Sequence, residues 1–196
     1  MFIPPPGSHS YRNQTSAHAE QAAYNALKEK VRTSLNALGE RILGCGNSDM
    51  SRLTFQAKGV SKEHVDEFST FLREDLGFAV TIQSPNDPRF TAIKLQNPGG
   101  EPQAFDGPDG WETIYTIRQK ECEILHIQVQ KELMIVGQQW QLQPDQPAEL
   151  FFDLRKPFRA RCYHQVKAVL IAQGCRVEEQ PLTASGMNTV RLRISR

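Results

Sequence analysis

One short segment of the sequence, Cys162-Tyr163-His164, brings together two side-chain types that bind zinc. Cys175 follows in the same region of the chain and adds a second candidate thiolate. A structural zinc site normally takes four ligands in two closely spaced pairs, such as CxxC and HxxxH, and the sequence contains neither spacing. We therefore predict no metal and no other cofactor, and we expect Cys162 to be a small buried side chain of a helix.

No set of acid, base and nucleophile stands out along the chain. The five histidines are scattered, and none has a neighbour in the sequence that suggests a general base. The sequence also lacks a glycine-rich phosphate loop, a GxSxG turn and an HExxH run, which are signatures of nucleotide binding, acyl transfer and zinc-dependent hydrolysis. Glu121 and Glu123 are expected on the solvated face of one strand. We therefore predict that the protein is not an enzyme.

Basic residues are concentrated in the last fifty residues. The candidate binding residues among them are Arg155, Lys156, Arg159, Arg161, Arg191 and Arg193. Alternation along the final strand would place Arg191 and Arg193 on the same face. If this strand neighbours the strand around Phe152, its guanidinium groups would suit phosphates, and Tyr163 would offer a ring for stacking on unpaired bases.

The formal net charge of +1 hides two blocks of opposite charge. Residues 101–150 carry nine acidic and three basic residues, whereas residues 151–196 carry three acidic and nine basic residues. Such blocks can pair within one molecule or join neighbouring copies. The basic residues are therefore either free for phosphates or already paired with the acidic block, and charge alone does not choose between these alternatives.

Length and composition restrict the class of protein. A chain of 196 residues with 39% hydrophobic residues can form one domain or two small ones, and it is too apolar to be disordered throughout. No apolar run reaches the length of a membrane span, and the first residues lack the features of a signal peptide. Four widely separated cysteines are compatible with a reducing compartment. We expect a protein that is neither secreted nor bound to membranes.

The N-terminal part is predicted as an arm followed by a helix. Residues 1–15 contain three consecutive prolines and are expected to be extended. Ser16 then caps a helix of roughly 25 residues, because apolar residues recur at steps of three and four. This apolar stripe comprises Tyr24, Leu27, Val31, Leu35, Leu38 and Ile42. We expect the helix to cover one sheet of the protein.

The segment that completes residues 16–97 is predicted as strand, helix, strand, strand. The strands are expected at Leu53–Ala57, Phe78–Ile82 and Thr91–Leu95, with a helix between Ser61 and Gly77. The same pattern recurs over residues 144–196 when the sequence is shifted by 97 residues. This shift superposes Leu53 on Leu150, Phe55 on Phe152, Gly77 on Gly174 and Val80 on Val177. We therefore predict an internal duplication.

Residues 98–143 are predicted as a loop followed by an antiparallel meander. Leu125, Ile127 and Val129 alternate with polar residues, which is typical of a strand with one buried face. The predicted fold is therefore α+β, with two strand-helix-strand-strand units that flank a β-meander and a long N-terminal helix that covers one sheet.

Residues 16–96 resemble a loose pattern found in small uncharacterised proteins of bacteriophages and large viruses. The pattern comprises a long helix (Asn25 to Leu43), an apolar strand, a helix that ends in glycine and an aromatic residue (Val65 to Phe78), and two further strands. The resemblance implies a viral origin, and with it a location in the virion or in the cytoplasm of the infected host cell. It favours assembly or binding over catalysis and implies no particular activity.

Two functional hypotheses follow. The first is a non-catalytic viral structural or assembly protein, which contacts copies of itself or other virion proteins through its N-terminal arm and its opposite charge blocks. The alternative is a single-stranded nucleic-acid-binding protein, in which RNA or single-stranded DNA contacts the basic C-terminal unit. In the alternative, Arg191 and Arg193 contact phosphates with support from Arg155 and Arg159. The nucleic-acid hypothesis fails if residues 112–132 cover these arginines.

Overall fold

The computed structural model of the chain describes residues 8–43, 53–96, 98, 110–182 and 188–196. Within these residues the elements are α1 (Ser8–Leu43), β1 (Leu53–Gln56), α2 (Lys62–Glu74), β2 (Ala79–Gln83), β3 (Ala92–Gln96), α3 (Ile114–Leu142), β4 (Ala148–Asp153), α4 (Pro157–Ala172), β5 (Arg176–Leu182) and β6 (Thr189–Ser195). The strands form two three-stranded antiparallel sheets. The predicted α+β class and the long N-terminal helix are confirmed.

The chain divides into two compact units. The first comprises Met1–Arg41 and Ser48–Gln119, and the second comprises Ile42–Asn47 and Lys120–Arg196. Each unit contains one of the two sheets together with the helix that follows the first strand of that sheet. The long helix α3 contributes to both units.

The first helix begins at Ser8, inside the segment predicted to be an extended arm. That prediction is wrong for residues 8–15, because the three prolines precede the helix and therefore do not interrupt it. Residues 1–7 lie outside the described residues. The apolar stripe predicted for this helix is buried at every position from Tyr24 to Ile42. Tyr24 contacts the rings of His64 and Phe68, so α1 packs against α2 at this point.

In the first unit, β3 lies at the centre of the sheet, between β1 and β2. The helix α2 begins after Ser61, whose side-chain oxygen accepts a hydrogen bond from the backbone N–H of His64, as expected for a capping residue. Its buried face includes Val65, Phe68 and Leu72. The helix and the three strands predicted here are therefore all present.

A helix, α3, occupies the segment that was predicted to be a meander. The alternation of Leu125, Ile127 and Val129 covers only five residues, whereas helical spacing persists along the whole segment. The buried positions are Ile114, Ile117, Glu121, Ile124, Leu125, Val129, Glu132 and Val136. Residues 114–136 contain neither proline nor glycine and are rich in strong helix formers. The meander is therefore wrong, and Glu121 is buried while Glu123 is exposed, so they do not share a strand face.

In the second unit, β6 lies between β4 and β5. One face of this sheet belongs to a core to which α3 and α4 also contribute. This core includes Leu125, Val129, Val136, Leu150, Phe152, Cys162, Tyr163, Val166, Leu170, Leu192 and Ile194. The Phe152 strand and the final strand are paired in the structure, which meets the condition that the phosphate-binding hypothesis set. The opposite face of the sheet carries the arginines of the final strand.

Candidate interaction surfaces

Arg155 and Lys156 lie in the turn between β4 and α4. The guanidinium of Arg155 donates two hydrogen bonds of 2.9 Å to the carboxylate of Asp153, and the backbone N–H of Arg155 donates a third at 3.1 Å. These hydrogen bonds lower the pKa of Asp153 to about 2. Arg155 therefore stabilises its own turn, and Lys156 is exposed at the start of α4.

The predicted phosphate ligand Arg159 has a structural role. Its Nη1 atom lies 2.5 Å from Oε1 of Glu132, and its Nη2 atom donates to the backbone oxygen of Phe151 at 3.0 Å. The guanidinium carbon also lies 4.7 Å from the centroid of the Phe152 ring. Arg159 therefore links α4 to α3 and to β4.

Two further arginines meet carboxylates of the acidic segment. Nη1 of Arg161 lies 3.6 Å from Glu121, and Nε of Arg191 lies 3.9 Å from Glu149. Together with the Arg159 contact, these pairs join the acidic block to the basic block at three places within the second unit. Of the two alternatives left open by the charge pattern, the structure favours pairing within one molecule at these positions.

Tyr163 does not offer its ring to solvent. Its side chain is buried in the core of the second unit, and its ring contacts Phe152 edge-on with centroids 5.6 Å apart. The phenol donates to the carboxylate of Glu179, which also accepts a hydrogen bond from Lys167. Burial and the Glu179 carboxylate raise the pKa of Tyr163 to about 12. The predicted role of Tyr163 in stacking on a base is therefore corrected to a core position.

Arg191 and Arg193 share the outer face of the second sheet, as predicted from their alternation with buried Leu192. In the strand register, Arg193 lies between Glu149 on β4 and Glu178 on β5. The face therefore alternates acidic and basic groups and is not uniformly basic.

An exposed aromatic ring lies on the same sheet face. Phe151 is opposite Arg191 in the register, its side chain is half exposed, and the guanidinium carbon of Arg191 lies 5.2 Å from its ring centroid. Phe151 was not among the predicted binding residues. The consecutive pair Phe151-Phe152 could have revealed it, because alternation along a strand must turn one of two adjacent rings outward.

A second cluster that the sequence did not reveal lies in the first unit. Nδ1 of His64 is 3.1 Å from Oε1 of Glu20 and 3.2 Å from Oγ of Ser61. In a catalytic triad the acid and the nucleophile contact different ring nitrogens, whereas both contacts here are made by Nδ1. This cluster therefore caps α2 and joins it to α1 without forming a proton relay.

The described residues provide no metal site and no membrane span. No three histidine, cysteine, aspartate or glutamate side chains in the described ranges are grouped so that they could hold a metal ion. Cys162 is fully buried, as predicted, and burial raises the pKa of its thiol to about 11. Within the same ranges, none of the helices is both long enough and apolar enough to cross a bilayer.

Four exposed apolar side chains form a line along α3. They are Ile127 (51% exposed), Met134 (61%), Ile135 (41%) and Leu142 (83%). At about 100° per residue these positions lie within roughly 100° of one another around the helix. Leu125, Val129 and Val136 of the same helix are in the core of the second unit and face the opposite side. We call the four exposed residues the outer stripe.

The outer stripe was missed because the strand interpretation grouped Ile127 with Leu125 and Val129 on one buried face. A helical period separates these residues and places Ile127 on the side of α3 away from Leu125 and Val129. Earlier on that side Ile117 and Ile124 are buried, whereas from Ile127 onward the apolar residues on that side are exposed.

No protein-family model matches the chain, and neither a curated protein nor a solved structure matches it.

Proposed function

We propose that the protein is a non-catalytic structural or assembly protein that associates with copies of itself through the outer stripe of α3. The observation that carries this proposal is the exposure of four large apolar side chains in a line on one helix. The solvent face of a surface helix normally carries polar residues. The four side chains together expose roughly 400 Å² of apolar surface, with the exposed side chains of Lys131 and Gln138 between them, and apolar patches of about 300–600 Å² on monomers are often functional.

This route to assembly differs from the one expected from the sequence. The arm is helical from Ser8 onward, and three arginines of the basic block pair with carboxylates of the acidic block inside the second unit. The outer stripe takes the place of both as the proposed contact. A viral origin, with a location in the virion or the host cytoplasm, remains part of the proposal and is supported by the resemblance of residues 16–96.

The geometry of the described residues supports the non-catalytic part of the proposal. The cluster of Ser61, His64 and Glu20 contains the residue types of a hydrolase but uses one histidine nitrogen for both contacts. The burial of Cys162 and the raised pKa of its thiol favour the unreactive protonated form.

An internal duplication is also part of the proposal. In both sheets the third strand of the unit lies between the other two. A shift of 97 residues carries the pair Leu53–Leu95 onto the pair Leu150–Leu192, so the first and last strands keep their register. Gly77 and Gly174, which superpose under this shift, both adopt positive φ angles, of 76° and 82°.

The second and third strands of each unit are paired with each other, and the register of this pairing differs between the two units. Val80 faces Leu95 in the first unit, whereas Val177 faces Ile194 in the second, two residues further along than the shift predicts. Because side chains alternate with a period of two, this difference leaves the same positions on the same face of the sheet. It is therefore compatible with descent from one ancestral unit.

The proposed self-association is tested by substituting, one at a time, two isoleucines that are about equally exposed. Ile127 lies in the outer stripe and Ile171 lies on α4, with 51% and 53% exposure. We expect the unmodified protein and Ile171→Gln to form dimers in sedimentation velocity as the concentration rises from about 1 μM to 1 mM. Ile127→Gln should shift this transition to higher concentration. A protein that stays monomeric throughout, or equal effects of the two substitutions, would refute the proposal.

Single-stranded nucleic-acid binding is a second candidate function, favoured by the half-exposed ring of Phe151 beside Arg191. A ring and a guanidinium on an open sheet face suit stacking on unpaired bases. Glu149 and Glu178 flank Arg193 and weaken the attraction for phosphates. The stacking role moves from Tyr163 to Phe151 in this version of the hypothesis.

Filter binding with mixed-sequence RNA and single-stranded DNA at low salt tests this candidate. Phe151→Ala should weaken binding by about tenfold if the ring stacks on a base. Phe90→Ala is a matched control, because Phe90 is also exposed and also lies beside an arginine, Arg89, at 5.7 Å. Absence of retention at about 10⁻⁴ M protein, the weak end of nonspecific affinity, would remove this candidate.

A further inference from the structure

We infer that the outer stripe pairs with the outer stripe of a second copy in antiparallel orientation, about a two-fold axis that passes between Met134 and Ile135. This inference rests on the proposed self-association and specifies its geometry. A two-fold contact is closed, because the same patch is used on both copies, and it produces a dimer and not a filament.

The positions of the four residues along α3 are symmetric about this axis. Ile127 and Leu142 lie at equal distances on either side of the point between Met134 and Ile135, about 11 Å away at 1.5 Å per residue. An antiparallel copy therefore places Ile127 opposite the partner's Leu142 and Met134 opposite the partner's Ile135. Each apolar side chain of the stripe then meets an apolar side chain.

The charged residue within the stripe also favours the antiparallel arrangement. Lys131 is exposed and lies on the same side of α3 as Ile127 and Met134. In a parallel two-fold pair each residue is opposite itself, so the two Lys131 ammonium groups would face each other. In the antiparallel pair Lys131 faces the partner's Gln138, which avoids the contact between like charges.

The surface area that two copies would bury between them is typical of a weak, reversible dimer. Two outer stripes bury roughly 800 Å² of apolar surface between them. With the exposed side chains of Gln130 and Gln141 at one edge, and of Lys131 and Gln138 between the apolar residues, the total approaches about 1,200 Å², the lower end of specific interfaces. We therefore expect a dissociation constant in the micromolar range.

The part of α3 that carries the stripe is held in place before any partner arrives. Gln139 forms two hydrogen bonds with the backbone of Glu149 on β4: Glu149 N–H donates to Oε1 at 2.8 Å, and Nε2 donates to the Glu149 oxygen at 3.3 Å. Arg159 binds Glu132, about two turns earlier on the same helix. A helix fixed in this way loses little conformational freedom when it associates.

Cross-linking through introduced cysteines tests the geometry. The starting variant carries Cys45→Ser, Cys122→Ser and Cys175→Ser, so that only the fully buried Cys162 remains. Circular dichroism and sedimentation velocity of this variant must match those of the unmodified protein before cysteines are introduced. A short bismaleimide or mild oxidation then reports which positions of two copies lie close together.

Three cysteine substitutions distinguish the possible arrangements. Met134→Cys, next to the axis, should cross-link efficiently with itself. Ile127→Cys alone should cross-link poorly, whereas a mixture of Ile127→Cys and Leu142→Cys should give a cross-linked heterodimer. If Ile127→Cys cross-links with itself and the mixture does not, the antiparallel geometry is overturned while self-association stands. If neither the starting variant nor the unmodified protein dimerises, both the geometry and the proposed function are overturned.

A charge substitution provides an independent test. Met134→Glu should weaken the dimer by about tenfold or more, because a carboxylate is buried against the partner's Ile135. Adding Ile135→Lys places the new ammonium group of one copy opposite the new carboxylate of the other, so the double variant should dimerise more tightly than Met134→Glu. Dimerisation of the double variant should also weaken as the salt concentration rises. A double variant that dimerises no better than Met134→Glu would overturn the antiparallel pairing.

Discussion

The guanidinium of Arg159 lies 2.5 Å from the carboxylate of Glu132 and joins α4 to α3 in the second unit. Glu132 is buried, with only 8% of its surface exposed. The pair also connects the acidic segment of the chain to the basic one. Arg159, which the sequence suggested as a phosphate ligand, therefore stabilises the packing of the two helices.

Loss of Arg159 should destabilise the second unit. We expect Arg159→Ala to lower the free energy of unfolding by about 2 kcal/mol, because the substitution leaves the buried Glu132 carboxylate without this partner. Arg176→Ala is the control, since Arg176 is largely exposed and lies 3.5 Å from Glu178 on the surface, and we expect a change of at most about 0.5 kcal/mol. Denaturant titration measures both values. Equal losses would contradict the structural role of Arg159.

The cysteines should differ in reactivity. Burial raises the pKa of the Cys162 thiol to about 11, whereas Cys122 is exposed on α3. At pH 8 iodoacetamide should therefore modify Cys122 in the native protein and leave Cys162 unmodified until the protein is unfolded. Mass spectrometry of peptides after timed alkylation identifies the modified sites. Modification of Cys162 as fast as Cys122 would contradict its place in the core.

The contact between Asp153 and Arg155 should be visible in an acid titration. Hydrogen bonds from Arg155 lower the pKa of Asp153 from its ordinary value of 3.8 to about 2. Because the pKa is lower in the folded state, this contact stabilises the fold above about pH 4, and the contribution is lost as the pH falls through 2. Arg155→Gln should return the pKa of Asp153 toward 3.8. Carboxyl NMR titration of both proteins tests this, and an unchanged pKa would show that the contact does not form.

The strands and helices of the two units could be predicted because local signals mark their ends. Ser61 caps α2 as its position suggests, and Gly77 follows the helix with the positive φ that glycine adopts readily. The third helix could not be predicted from the same local signals, because five alternating residues around Ile127 imitate a strand. Only the spacing over the full length of α3 identifies the helix.

The functional surfaces depended on contacts between distant parts of the chain. Glu20 and His64 are separated by 44 residues, and Glu132 and Arg159 by 27. The composition revealed two charge blocks but not that their members pair inside the second unit. The outer stripe, in contrast, was present in the sequence and became visible once Ile127 was placed on a helix.

The most direct measurement is the sedimentation of the unmodified protein at low and high salt. If the apolar outer stripe joins two copies, the dimer fraction at a given protein concentration should be equal or greater in 1 M salt than in 0.1 M salt, although the screening length falls from about 10 Å to about 3 Å. Association through opposite charge blocks would instead weaken over this range. A dimer that dissociates at 1 M salt, or a protein that is monomeric in both conditions at about 1 mM, would contradict association through the outer stripe.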